Sequence, residues 1–203
     1  MLKLYCAPVT ISTAVVCLLN EGAEWEPIRV DVRGGEQSRP EYLRINPKGR
    51  VPVLVTPEGL LTETGAVLEY IAETALPDFM PTDAFGKARV REVMFYLAST
   101  MHVNHAHLRR ASRWADDPAA QEAMSAKVPE TMRASAAYLE GVVEGPFLFG
   151  DRPTIADFYL YTPVYWLEGD KVDVSDFPKL AAFKAAMEGR ASVKRAWADG
   201  FYG

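Results

Sequence analysis

Between Asn46 and Ile71 the chain reads NPKGRVPVLVTPEGLLTETGAVLEYI, and the spacing of its apolar positions changes twice within that stretch. VPVLV (51–55) is a short apolar run of strand type, TPEG (56–59) has the Pro and Gly of a hairpin turn, and residues 60–62 predict a second short strand. From Glu63 onward the period becomes helical, with Val67, Leu68, Ile71 and Ala72 on one face, so the pattern predicts a helix starting at Glu63-Thr64. A proline inside a good strand belongs at an edge or in a bend. Val51-Pro52 is therefore a candidate cis bond with exposed backbone. Pro77 and Pro81, with DFM close between them, mark a linker, after which long helical patterns replace strands. The pattern predicts an α/β domain over 1–76 and an all-α domain over 82–203.

Composition narrows the classes. The chain has 203 residues, is 49% hydrophobic and has a formal charge of −5, enough for sizeable cores and without an electrostatic case for nucleic acid. No apolar run approaches the length of a membrane span, and Met1-Leu2-Lys3 leads into a strand pattern, so the expected location is the cytoplasm and no membrane partner is expected. Cys6 and Cys17 lack C-x-x-C or metal-type spacing and read as reduced core thiols.

The helix start at Glu63-Thr64 is where chemistry first enters. Backbone N–H groups and the dipole at a helix N-terminus attract a carboxylate, and Glu63 beside them suits an ammonium group. Together they suit the zwitterionic end of an amino acid. An ordinary turn and an ordinary helix start would read the same way.

In their order these parts resemble the cytosolic glutathione S-transferase family, as a bacterial beta-like member. The resemblance covers the whole chain. KLYCAP looks like the first strand, TISTAVVCLL the first helix and WEPIRVDV (25–32) the second strand of a thioredoxin-like domain. Asn46, Pro47, Gly49, Val51, Pro52, Leu54, Glu63 and Thr64 match the family's pattern around its cis-proline strand and next helix start. GDRPTIADFYLYT (150–162) is similar to the family's capping motif in a buried helix, where Thr154 and Asp157 form the S/T-x-x-D pattern. What the resemblance implies is a thioredoxin-like N-terminal domain plus an all-α C-terminal domain, glutathione as co-substrate with no other cofactor or metal, and a homodimer.

It also implies site residues. Glutathione would lie along Val51 and Pro52, its γ-glutamyl carboxylate at Thr64, its amine near Glu63, and its glycyl carboxylate at Lys48 or Arg50. In the family a hydroxyl or thiol opening the first helix favours the thiolate of glutathione, whose free thiol has a pKa near ~8.5. Aligned without a gap from Pro8 against beta-type members, Ile11 falls on their cysteine and Ser12 on the next position. Ile11 forbids a mixed disulfide there. Ser12 is the first candidate for the thiolate-stabilising hydroxyl and Thr10 the second, since a one-residue shift would exchange them; helix capping is the alternative role of both.

His102, His105 and His107 are the chain's 3 histidines, all in MHVNHAHLRR. His102 and His105 share a helix face while His107 turns away, which argues against a three-histidine metal site. By counting along the helix, His102 matches a histidine that bacterial members place near the sulfur. Arg109, Arg110 and Arg113 suit the negative end of the helix dipole. Phe95 stands where some members have a polar residue that reaches the partner chain's ligand, so that contact is not implied here. A second-substrate pocket for a small hydrophobic electrophile would have Val9, Trp114, Phe201 and Tyr202 as candidate walls. Tyr159, Tyr161, Tyr165 and Trp166 read as core.

The expected activity is conjugation of the glutathione thiolate to hydrophobic electrophiles, with peroxides as a further substrate class. A non-catalytic glutathione-fold binding protein and a glutathione-dependent isomerase or dehalogenase are the alternatives.

Overall fold

The computed structural model describes all residues from Met1 to Gly203. The chain divides into two compact units, Met1–Lys87 together with Glu188–Gly203, and Ala88–Met187.

The first unit is built on a four-stranded sheet of β1 (Leu2–Cys6), β2 (Trp25–Arg29), β3 (Val53–Thr56) and β4 (Gly59–Thr62), in the order β2-β1-β3-β4. β1 and β2 run parallel, and β1–β3 and β3–β4 are antiparallel. The inner strands carry the apolar runs, with Leu4, Val53 and Leu54 fully buried, because both of their edges are paired and these positions lie in the core, while Lys3 on β1 stays exposed. β2 stops earlier than WEPIRVDV suggested. Asp31 takes the N–H of Gly34 at 2.8 Å and its own N–H goes to Glu36, so a turn replaces strand pairing there.

α1 (Ser12–Leu19) is buried along its whole length, packed on β1, α3 (Thr64–Thr74) and α9 (Ala191–Ala198). A helix covered on every side can be apolar all round, and after the hydrogen-bonded Ser12 and Thr13 the rest, AVVCLL, is. α3 (Thr64–Thr74) is instead amphipathic, burying Val67, Leu68, Ile71 and Ala72 as its periodicity predicts. A short α2 (Pro40–Leu43) precedes the Asn46–Arg50 turn, and the Val51-Pro52 peptide is cis, in the bend just before β3.

The second unit is helical. α4 (Ala84–Tyr96) passes through a π-helical turn, Leu97–Met101, into α5 (His102–Arg110), followed by α6 (Pro118–Val142), α7 (Ile155–Trp166) and α8 (Pro178–Gly189). Arg113 lies beyond the end of α5, in a 3-10 turn. α7 is the core helix, with Tyr159, Tyr161 and Trp166 buried; Tyr165 is only half-buried. No helix is long and apolar enough to cross a membrane.

Candidate functional site

The Asn46–Pro52 bend is organised by its own side chains. Asn46, 1% exposed, donates from Nδ2 to the Arg50 carbonyl at 2.7 Å and accepts the Lys48 N–H at 3.1 Å. The Tyr42 hydroxyl donates to the same Arg50 carbonyl at 2.8 Å, and burial pushes its pKa up, keeping the phenol a donor. Gly49 has φ 60°, and a Cβ there would meet the Gln37 carbonyl at 3.1 Å, so both backbone and space call for glycine. The bend delivers Val51 half-exposed, and no hydrogen bond within the chain uses its peptide groups.

At the head of α3, Thr64 is 5% exposed, and the preceding Glu63 sits at φ 71°, ψ 120°. For a non-glycine residue that backbone costs on the order of 1–3 kcal/mol. No side chain caps this helix, and its first turn has no acidic residue. Lys48 Nζ donates to Thr62 Oγ1 at 2.6 Å and forms an ion pair with Glu63. Arg50 is exposed. The structure thus brings Lys48, Glu63 and Thr64 around one helix start, with Val51 and Pro52 opening the inner strand β3.

The loop before α1 holds two hydroxyls in one network. The Ala7 N–H donates to Ser12 Oγ at 3.0 Å, and the Ser12 N–H to Thr10 Oγ1 at 3.3 Å. The two hydroxyl oxygens are 2.7 Å apart, and both can donate to the Ala7 carbonyl, Thr10 at 2.8 Å and Ser12 at 3.2 Å. Ser12 is 0% exposed, whereas Thr10 is half-exposed. Ile11, the residue before α1, is buried. Val9 is half-exposed at φ 55°. Burial pushes the Cys6 and Cys17 thiols up to about 12, with the Tyr202 hydrogen bond partly opposing it at Cys17. Neither is a nucleophile at neutral pH.

Phe201 and Tyr202 are buried within the first unit, Tyr202 accepting from the Cys17 thiol at 3.8 Å. In the second unit Trp114 is 45% exposed, edge-on to His107 at 4.4 Å. His102 opens α5 directly after the π turn, 5.3 Å from the Trp166 ring. Such turns are frequent at functional positions.

Two features were not anticipated. His105 Nδ1 meets both oxygens of the buried Asp170 carboxylate at 2.9 and 2.8 Å and stacks on Trp166 at 4.1 Å, pinning α5 to the segment after α7. Nothing local links residues so far apart in sequence. Asn46 was visible only as part of a turn motif; an Asn whose side chain bonds backbone two residues on is the signal that could have found it.

A thioredoxin-like sheet with its cis-proline bend, combined with a separate helical unit, defines the glutathione transferase class of fold. The family model for the glutathione S-transferase N-terminal domain matches residues 2–73, and that for the C-terminal domain matches residues 104–198. A glutathione transferase homologue from Sulfitobacter, solved with bound glutathione, is 45% identical, covers 99% of both chains and superposes with a TM-score of 0.96. A maleylacetoacetate isomerase of Rhizobium meliloti is 32% identical over 88% of this chain and 86% of its own. A bacterial beta-class glutathione S-transferase of Sphingomonas chungbukensis is 26% identical over 98% of both chains, with a TM-score of 0.82. The chain belongs to the glutathione S-transferase family.

Proposed function

We propose that this protein binds glutathione and transfers its thiolate to small hydrophobic electrophiles. The observation that carries this reading is the head of α3, where the uncapped N-terminus at Thr64 stands with Glu63 and Lys48 beside it, in a chain 45% identical to a homologue solved with glutathione. The γ-glutamyl carboxylate would take the Thr64 hydroxyl and first-turn N–H groups. Its ammonium group would take Glu63. The cysteinyl backbone would pair with the Val51 peptide groups, and Lys48 or Arg50 would meet the glycyl carboxylate.

At the sulfur end the hydrogen bonds favour Thr10. If the Thr10 proton turns to the sulfur, Ser12 supplies the Ala7 carbonyl, still accepts the Ala7 N–H, and leaves the Ser12 N–H bonded to Thr10 Oγ1. Every buried group stays satisfied. Ser12 has no exposed surface and acts as the brace. The thiolate so stabilised attacks an electrophilic carbon, displacing a group such as halide, or a peroxide oxygen, breaking the O–O bond to give the sulfenic acid and an alcohol; the benefit lies in concentrating and orienting the thiolate. His102 is a second candidate for the sulfur end. Val9 is a candidate wall for the electrophile, whereas Phe201 and Tyr202 are spent on anchoring the tail. A homodimer in the cytoplasm completes the reading.

A second reading, glutathione-dependent isomerisation, is favoured by the similarity to maleylacetoacetate isomerase. Calorimetric titration tests the common part: no heat at millimolar glutathione would sink both. A turnover screen with an aryl halide, a hydroperoxide and a maleyl compound separates them. Thr10→Val should raise the pKa of the bound thiol and lower kcat, while Ser12→Ala chiefly lowers stability; the opposite assignment of effects would restore Ser12 as the donor. His102→Gln in the same assays measures the contribution of that ring.

A further inference from the structure

The end of the chain folds back onto the loop that opens the first helix. Beyond α9, Gly200 turns the backbone at φ 73° and Phe201 and Tyr202 become buried, 1% and 4% exposed. The tail is held at several points. Arg29 donates to the Asp199 carbonyl and lies over the Phe201 ring, 4.4 Å from its centroid. At the head of α9, Arg190 makes paired hydrogen bonds of 2.8 and 2.7 Å to Glu21, which also accepts from the Ser192 hydroxyl. This is no fraying terminus. From it the Phe201 carbonyl accepts the Val9 N–H at 2.9 Å. Val9 is β-branched and sits at φ 55°, a left-handed conformation that such a residue rarely takes. Thr10 follows it directly.

We propose that Phe201 is a positioning residue for the sulfur end of the site. Its carbonyl holds the Val9 N–H, keeps Val9 in the left-handed conformation, and thereby aims the Thr10 hydroxyl. Without that acceptor Val9 relaxes toward negative φ, which turns the peptide leading into Thr10 and carries the hydroxyl with it. This rests on the reading of Thr10 as the thiolate donor.

The test uses full-length chains carrying Phe201→Ala or Gly200→Ala, each with and without Val9→Gly. Phe201→Ala removes the buried ring that seats the carbonyl, and Gly200→Ala reaches the same contact through backbone strain at a position with room for a Cβ. Three readouts are taken: amide hydrogen exchange at Val9 in the ligand-free chain, the ultraviolet thiolate titration of bound glutathione, and kcat with an aryl halide. Both single variants should exchange the Val9 amide faster, raise the bound thiol pKa and lower kcat about tenfold, a displacement effect of the size expected for a misplaced catalytic group. Val9→Gly should return the bound thiol pKa toward that of the parent, because glycine takes φ 55° without penalty. A merely structural tail would lower the melting temperature without that rescue. Unchanged exchange at Val9, or a raised thiol pKa that Val9→Gly fails to restore in either variant, overturns the proposal. If the parent chain neither binds glutathione nor turns over, the glutathione reading falls by itself, and the exchange measurement still decides whether the tail holds the loop.

Discussion

α3 opens with Thr64 and α7 is preceded by Thr154 as its N-cap, and the chain treats the two helix starts in opposite ways. At α7 the chain supplies its own carboxylate: Asp157 accepts the Thr154 N–H at 2.6 Å, the Thr154 hydroxyl at 2.9 Å and the Leu148 N–H at 2.7 Å. At α3 no side chain caps the first turn, and Glu63 is held at φ 71°. The first arrangement stabilises a core helix and leaves nothing for a ligand. The second carries backbone strain and unpaired N–H groups at an accessible place, which is what a carboxylate-binding site requires. The difference teaches that a capping-type sequence does not separate structure from function; the partner of the helix terminus does.

The largest effect should fall on the closed start. Asp157→Ala leaves buried donors without an acceptor and should lower the unfolding free energy by about 3 kcal/mol at neutral pH, read from urea denaturation. A loss under about 1 kcal/mol would break the contrast between the two termini.

The same residue sharpens it through pH. Burial, outweighing the Leu148 and Thr154 hydrogen bonds, pushes the Asp157 carboxyl up from 3.8 to about 6. Between those values the folded chain keeps a proton that the unfolded chain has lost, so this contribution to stability is complete below the unfolded value and is lost as pH rises through about 6. The stability of the parent relative to Asp157→Asn should therefore fall by about 2–3 kcal/mol between a pH below the unfolded value and neutral pH, measured by denaturation at each pH. A flat difference would show that the carboxyl is not held as its burial implies.

On the open start the cost should appear in binding. Thr64→Val should weaken glutathione about tenfold, the loss of one hydrogen bond to a charged group, while shifting stability by less than about 1 kcal/mol. Calorimetry and thermal melting read the two numbers. The smallest effect is expected at Glu63→Gly, which relieves the positive φ and removes an exposed ion pair. Stability should hold or rise by up to about 1 kcal/mol while glutathione binding weakens. A clear loss of stability there would mean that Glu63 supports the fold and not the ligand.

Legibility followed the range of the interactions. The strand–turn–strand–helix order of 51–72, the bend at Val51-Pro52 and the Thr154–Asp157 cap rest on contacts close in sequence, and each appears in the structure, with β3 beginning at Val53 instead of Val51. The early end of β2, the π turn before His102 and the His105–Asp170 contact had no such signal. The first is decided by an Asp31–Glu36 turn competing with strand pairing, the second by packing of Leu97 and Met101 into the core, the third by a partner beyond another helix.

The sequence by itself determined the family, the order of elements and the bend at Val51-Pro52, because apolar period, turn residues and capping pairs act within a few residues of one another. Tertiary structure decided the shared network and unequal exposure of Ser12 and Thr10, which depend on what covers the loop, and it decided where the tail lies. Val9 is bonded to the Phe201 carbonyl across nearly the whole chain, and only folding brings those peptide groups within hydrogen-bond reach.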